Sequence, residues 1–349
     1  MPGQPHLVRF NTQEVIDYNA NGRKRISLTR GSYYREIFLK LTATIEVEAG
    51  GTTTAPANIQ PGDLWGVVKD INLIVNGNDS LRRISGEELL HMNRIFFGQA
   101  PKVPNLLGLA AENTRQVECT LILPIQLPLS FRPIETSLNS QILQSLSLEI
   151  TWGDETDVGS GTGFVFNVDP QIEVFSLTSF LPPKSEGYRG PFHTLRLNTL
   201  KETGVGVNTR FKYNLNTGNI YRGFVICTKT TAGVDATDKI SNIKVVSGTT
   251  VFYDMDLDVI RSLDDTLRRR RHVLESTAGV ADNSGTPSPE FLSSGTKLDA
   301  WTFVDLVPSD RMTEAIDTLS FAEFSLIFDV TSAIDELRII PIEILPVRN

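Results

Sequence analysis

Histidine is scarce in this chain, and two of its four copies, His6 and His193, occupy corresponding places in a long internal repeat. An imidazole pair is suited to metal ligation or general-base chemistry. Neither His-x-His nor His-Glu-x-x-His occurs, so the ligand spacings of cupin-type and zincin-type metal centres are missing. The plainer reading is a polar residue that holds the same first-strand corner twice. Cys119 and Cys227 are too few for a disulfide framework or a Cys-based zinc site. Both sit in apolar runs and are expected to be buried free thiols. Asp254-x-Asp256-x-Asp258 has the opening of a calcium loop, but Val259 stands where that loop needs glycine and Asp265 where it needs a bidentate glutamate. These aspartates therefore read as an acidic cluster at a helix start, as do Glu87 and Glu88.

Other chemistry is equally thin. There is no GxSxG, Walker A or GxGxxG pattern. Paired carboxylates for glycoside hydrolysis are assembled in space and stay open at this level. Asn78-Asp79-Ser80 is a lone sequon behind an N-terminus with no signal-peptide pattern. The aromatic residues are scattered through strands and do not interleave with a basic run, as a single-strand-binding face would require. Arg268, Arg269, Arg270 and Arg271 are the one conspicuous charge run. Basic residues at a helix end offset its dipole, but four in succession exceed that need, so they are the candidate contact for nucleic acid or an acidic neighbour. No enzymatic activity, cofactor, metal or small-molecule substrate is expected. The formal charge of −8 argues against a surface that grips nucleic acid all over.

The elements that position these residues come in two sets. Shifting residues 6–35 forward by 187 aligns them with 193–222 without a gap, and ten of the thirty positions are identical. The identities are His6/His193, Arg9/Arg196, Asn11/Asn198, Thr12/Thr199, Asn21/Asn208, Arg23/Arg210, Leu28/Leu215, Gly31/Gly218, Tyr34/Tyr221 and Arg35/Arg222. The period is that of a whole domain and far exceeds a solenoid repeat. Two domains are expected, 1–182 and 183–349, joined at about 181–187, where Pro182-Pro183 makes a stiff connector.

Within each half, period-2 alternation predicts strands at 25–28, 36–48, 67–75, 117–127, 144–152, 164–168 and 171–177, then at 211–215, 221–228, 243–246, 301–307, 319–330 and 336–345. Asn76-Gly77 is a tight-turn signal. An apolar stripe predicts one helix per half, at 86–97 and 256–274. Many short strands without alternating helices exclude a βαβ fold. The fold class expected is all-β, two tandem jelly-roll β-sandwiches, each with a short flanking helix, because ~170 residues per unit exceeds an immunoglobulin domain of ~100.

This order of elements resembles the double jelly-roll major capsid proteins of tailless icosahedral viruses, the lineage of adenovirus hexon and of membrane-containing phages. The resemblance is carried by Asp63-Leu-Trp-x-Val-Val-Lys-Asp-Ile-x-Leu-Ile-Val-Asn-Gly77 with Ser85-Gly-Glu-Glu-Leu89. In the second half it is carried by Gly218-Asn-Ile-Tyr-Arg-Gly-Phe-Val-Ile226 and Ile243-Lys-Val-Val246. It is architectural and spans the whole chain. It implies a homotrimeric, pseudo-hexagonal capsomer that tiles an icosahedral shell. The implied location is the virion, after synthesis in a host cytoplasm. The implied partners are further copies of the chain, minor capsid or vertex proteins, and an internal membrane or genome on the inner face. The alternatives are a secreted-type tandem jelly-roll hydrolase or glycan-binding protein, and a minor vertex or spike protein.

Overall fold

Turn chemistry and β-branched alternation account for most of the elements seen in the computed structural model. It describes residues 7–47, 63–97, 114–130, 133–158, 164–180, 193–230, 235–236, 238–267, 279–281, 287–289 and 301–346. Two compact units are present. One comprises Met1–Gln126, Ser137–Gly190 and His272–Ser293, the other Leu127–Thr136, Pro191–Arg271 and Ser294–Asn349. The expected connector at 181–187 lies outside the described residues.

The strands of the first unit are β1 (Leu7–Asp17), β2 (Arg23–Ser27), β3 (Tyr33–Val47), β4 (Val68–Val75), β5 (Asp79–Ile84), β6 (Thr114–Pro124), β7 (Leu138–Asn139), β8 (Leu146–Trp152) and β9 (Phe164–Phe180). Helix α1 (Gly86–Phe97) follows β5. One antiparallel sheet has the order β1-β9-β3-β6, with β7 on the end of β3. In the second sheet β4 pairs with β5 and β8, and β8 with β2. Leu146, Leu148, Ile150 and Trp152 of β8 are buried at every second position, as the pleat of a half-covered sheet dictates. Asn76 and Gly77 both take positive φ, 51° and 88°, in the loop 76–78 between β4 and β5, where Val75 pairs with Asp79; Asn and Gly tolerate that backbone best.

The second unit repeats this order. Its strands are β10 (His193–Asn198), β11 (Leu200–Val205), β12 (Asn208–Leu215), β13 (Ile220–Lys229), β14 (Ile240–Ser247) and β15 (Thr250–Asp256), followed by helix α2 (Leu257–Leu267). A small ribbon, β16 (Gly279–Ala281) and β17 (Pro287–Pro289), comes next in the chain and is counted with the first unit. The rest are β18 (Trp301–Asp305), β19 (Ile316–Asp317), β20 (Phe324–Val330) and β21 (Ile334–Pro346). β21 pairs with β10, β11 and β13, and β13 with β18 and β19. The facing sheet is β12-β20-β14-β15. β10 and β11 are one strand of continuous register interrupted at Thr199, the counterpart of Thr12, where β1 bulges against β9. Phe224, Ile243, Val245, Leu326, Phe328 and Ile339 form the centre of this core at 0% exposure. Each such side chain contributes about 1.5–3 kcal/mol.

Three expectations need correction. The strands expected at 164–168 and 171–177 are one strand. The register of β3 against β9 jumps between Thr42↔Gln171 and Thr44↔Val168, so Pro170, which has no N–H to give the ladder, is absorbed in a bulge. Residues 319–323 do not join β20, because Leu319 and Phe321 are held in turns by Asp317 and Thr318. Asp254 and Asp256 lie on β15 and not on the helix, which starts at Leu257. The expected helix at 86–97 is observed with those bounds.

Candidate functional site

The residues kept in both copies build the same corner twice, and the corner is locally complete. In the first unit the turn before β3 passes through Gly31 at φ 103°. The Tyr34 hydroxyl donates to the Thr29 carbonyl, five residues upstream, at 2.5 Å. In the second unit Gly218 takes φ 91° and the Tyr221 hydroxyl donates to the Asn216 carbonyl at 2.6 Å, again five residues upstream. Both rings are buried. One hydroxyl then satisfies the turn backbone. Ser140 Oγ accepts from the Gly31 and Ser32 amides at 3.1 Å each and donates to the Ser32 carbonyl at 2.6 Å. Thr318 Oγ1 accepts from the Gly218 and Asn219 amides at 3.0 and 3.2 Å and donates to the Asn219 carbonyl at 2.7 Å. Buried backbone groups need such partners, and a left-handed glycine lets the chain present two amides to one oxygen.

Around this shared corner the copies differ in charge. Arg35 is half-buried and its Nε donates to Gln126 Oε1 at 3.3 Å. Its counterpart Arg222 is fully buried. Arg222 ion-pairs with Asp305, donates from Nη2 to Asp310 Oδ1 at 2.8 Å and from Nε to the Leu129 carbonyl at 3.3 Å. Asp305 also accepts from the Val307 amide at 2.9 Å. Arg196 ion-pairs with the buried Glu343, whose Oε1 lies 3.1 Å from the Tyr221 hydroxyl oxygen. At the position of Glu343 the first unit has Thr178, which accepts from Asn11 Nδ2 at 3.1 Å. Arg9, the counterpart of Arg196, lies over the Phe180 ring at 4.7 Å.

Burial and then the Glu343 carboxylate push the Tyr221 phenol up, and burial pushes Tyr34 up to about 12. Neither phenol can act as a base near neutral pH. Unit two also holds a buried Lys229–Asp235 pair at 3.0 Å, with the Trp301 indole N–H on Asp235 at 2.8 Å. The side chains of Arg222, Glu343, Lys229 and Asp235 are buried and bind their neighbours by charge and hydrogen bonds, which fixes an architecture. A cavity of about 400 Å³ in the second unit is bordered by Phe252, Met255, Ile260 and Leu306. Its carboxylates, Asp305 and Glu314, are held by Arg222 and by the Ser309 hydroxyl at 2.6 Å.

Helix α1 is fixed by a capping box: Ser85 Oγ accepts from the Glu88 amide at 3.2 Å and Glu88 Oε2 from the Ser85 amide at 2.8 Å. So Glu88 is structural, as its place at a helix start suggests. Asn93 on the same helix meets the outer edge of β6. Its Nδ2 donates to the Ile122 carbonyl at 2.8 Å, and its Oδ1 accepts the Ile122 amide at 2.9 Å. An amide side chain thus stands in for a neighbouring strand. A fully buried guanidinium, Arg82, donates to the Pro124, Leu81 and Ile125 carbonyls at 2.8 Å each, and desolvation lowers its pKa to about 9.

The residues singled out in the sequence are scattered. His6 and Arg268, Arg269, Arg270 and Arg271 lie outside the described residues, and His193 opens β10. Cys119 and Cys227 are buried free thiols, Cys119 pushed up to about 11 by burial. Asp254 is held by Lys244 at 3.1 Å and Asn242 at 3.1 Å, and Asp256 by the same Asn242 amide at 3.2 Å. Of the groups that build the corner, Ser140, Thr318 and Asp310 carried no readable signal. Leu138-Asn139-Ser140 and Ile316-Asp317-Thr318 correspond in space but share no identical residue.

No protein-family model matches the sequence, and no curated protein is similar to it. Solved structures are. The MCP of STIV, Sulfolobus Turreted Icosahedral Virus, superposes with a TM-score of 0.70 at 12% identity over 98% of this chain and 97% of that one. The fold is a double jelly roll. The same fold is seen in the major capsid protein of bacteriophage PM2, with a TM-score of 0.61 at 10% identity over 98% of this chain and 99% of that one. The Faustovirus major capsid protein gives 0.60 at 9% identity over 100% and 92%. At these identities what is shared is the double jelly roll itself, including its duplication, end to end.

Proposed function

We propose that this chain is a major capsid protein, assembling as a homotrimer of pseudo-hexagonal outline that tiles an icosahedral shell. The observation that carries the reading is the end-to-end match to the STIV protein, covering 98% and 97% of the two chains. The duplication supports it physically. A lattice site with six similar edges is made from three chains if each carries two similar domains, and fusing the domains removes one association step with its entropy cost. Residues 1–182 and 183–349 are the two walls of the block. Its place is the virion, and its partners are further copies, minor capsid or vertex proteins, and a genome or membrane on the inner face. Arg268, Arg269, Arg270 and Arg271 are the proposed polyanion contact.

Imaging the protein under assembly conditions tests the reading: hexagonal-outline capsomers closing into shells are expected. A protein that stays monomeric and cleaves or binds a glycan would overturn it. Reversing the four arginines to glutamate is expected to leave trimers intact and reduce packaging or particle yield. Unchanged yield and packaging would remove the polyanion role.

A further inference from the structure

A census of sheet edges separates two strands from the rest. An open edge presents unpaired backbone and invites another strand, so folded proteins cover it or charge it. β6 is covered by the Asn93 amide of α1, and β18 packs against α2. β2 carries Arg23, Lys24 and Arg25, and β12 carries Arg210 and Lys212. Leu81, Arg82 and Ile84 of β5 and Leu195 and Leu197 of β10 are buried. Among the described residues of the two sandwiches, β1 and β15 remain, each at the end of its sheet and each studded with exposed apolar side chains. Val8, Phe10 and Val15 on β1 are 43%, 72% and 43% exposed, and Val251 and Phe252 on β15 are 55% and 40% exposed.

The repeat shows that the apolar character of β1 is not incidental. Val8 and Phe10 correspond to Leu195 and Leu197, which are fully buried. The same two positions are apolar in both copies, covered in one and open in the other. Charge selects what covers them. Along β1 the only cation, Arg9, is near the start, and the carboxylates Glu14 and Asp17 are near the end. Along β15 the start, Thr250–Tyr253, is uncharged, and Asp254 and Asp256 are at the end. Antiparallel alignment sets Arg9 beside the aspartates and the carboxylates of β1 beside the neutral start of β15. Parallel alignment sets four carboxylates together, which costs stability. We infer that β1 of one copy pairs antiparallel with β15 of a second copy, and that this strand pair joins neighbouring chains. The contact is heterologous, so it closes only as a ring. It rests on the self-assembly proposed above and names its surface.

Sedimentation equilibrium of the full chain, with circular dichroism to confirm folding, tests the pairing. Phe10→Lys and Phe252→Lys are each expected to weaken association at least tenfold, while Ile142→Lys, at a side chain 73% exposed on neither edge, leaves it unchanged. Arg9→Asp and Asp256→Arg are each expected to weaken it, and the double variant to restore it. A wild-type trimer that withstands both lysine variants, or a charge swap that restores nothing, overturns the strand pairing and leaves the capsid reading standing. Sensitivity at only one of the two edges also overturns it. A wild-type chain that is monomeric at every concentration overturns both.

Discussion

The two corners, Tyr34 with Ser140 and Tyr221 with Thr318, have the same hydrogen bonds and different electrostatics. What duplication preserved is the backbone solution: a left-handed glycine, a hydroxyl that closes the turn and a tyrosine that reaches back five residues. What diverged is where charge is kept. The first unit leaves Arg9 and Arg35 at or near its surface, whereas the second buries Arg222 with Asp305 and Asp310 and pairs Arg196 with Glu343 beneath Tyr221. The apolar positions diverged in the same sense, Phe10 open and Leu197 closed. Turn geometry is therefore the invariant of this fold, and burial of charge is a property of each unit's surroundings.

The largest expected effect separates the arginines. Arg222→Met strands the Asp305 carboxylate and is expected to cost about 3–5 kcal/mol, as for a broken buried ion pair, read as a lowered urea midpoint. Arg35→Met should cost about 1 kcal/mol, as for a single half-buried hydrogen bond. Equal costs would break the comparison. The clamps come next and should behave alike. Ser140→Ala removes the shared acceptor of the Gly31 and Ser32 amides, and Thr318→Val that of the Gly218 and Asn219 amides, Gly218 keeping a 3.3 Å bond to the Thr318 carbonyl, at about 1–3 kcal/mol each. Hydrogen exchange should quicken at Gly31 and Ser32 in one variant and at Gly218 and Asn219 in the other. Acceleration in one unit only would show that the clamps are not equivalent.

Smallest are Tyr34→Phe and Tyr221→Phe, at about 1 kcal/mol each, but their pH dependence is distinctive. Both phenols hold their proton more tightly when folded than at the ordinary value of 10.0, Tyr34 up to about 12 and Tyr221 further. The folded state thus binds the extra proton, so stability present below pH 10 is lost as pH rises through about 12. Alkaline thermal melts of the double phenylalanine variant should show a smaller loss, the remainder coming from Cys119 and Tyr18, which burial also pushes up, to about 11 and about 12. An unchanged alkaline profile would show that the phenols are not the groups responsible.

Much of this was legible in the sequence because the repeat kept residue types at positions where backbone conformation leaves little choice. Gly31/Gly218 and Tyr34/Tyr221 are such positions, and the period-2 pattern of β8 and β20 exposes a sheet's buried face directly. The helix at 86–97 was readable from its apolar stripe, and the structure adds the Ser85–Glu88 cap. Other parts were hidden for physical reasons. Ser140 and Thr318 act through one hydroxyl, which many residues offer, and they lie more than 90 residues from the turns they close. Asp310 matters because the Arg222 guanidinium is buried beside it, and Glu343 because it is itself buried against Arg196; burial is a tertiary fact. β1 escaped period-2 reading because neither of its faces is regularly buried. Asp169-Pro170 read as a break because a bulge that swallows proline leaves no mark in the pattern.

The mass of the assembled protein in solution distinguishes a trimeric block from a lone chain most directly. Sedimentation equilibrium of the wild-type chain should return three times the 38.6 kDa chain mass across a wide concentration range. A single species at 38.6 kDa, unchanged as concentration rises, would contradict the reading of the duplicated domain as two walls of a trimeric capsid block.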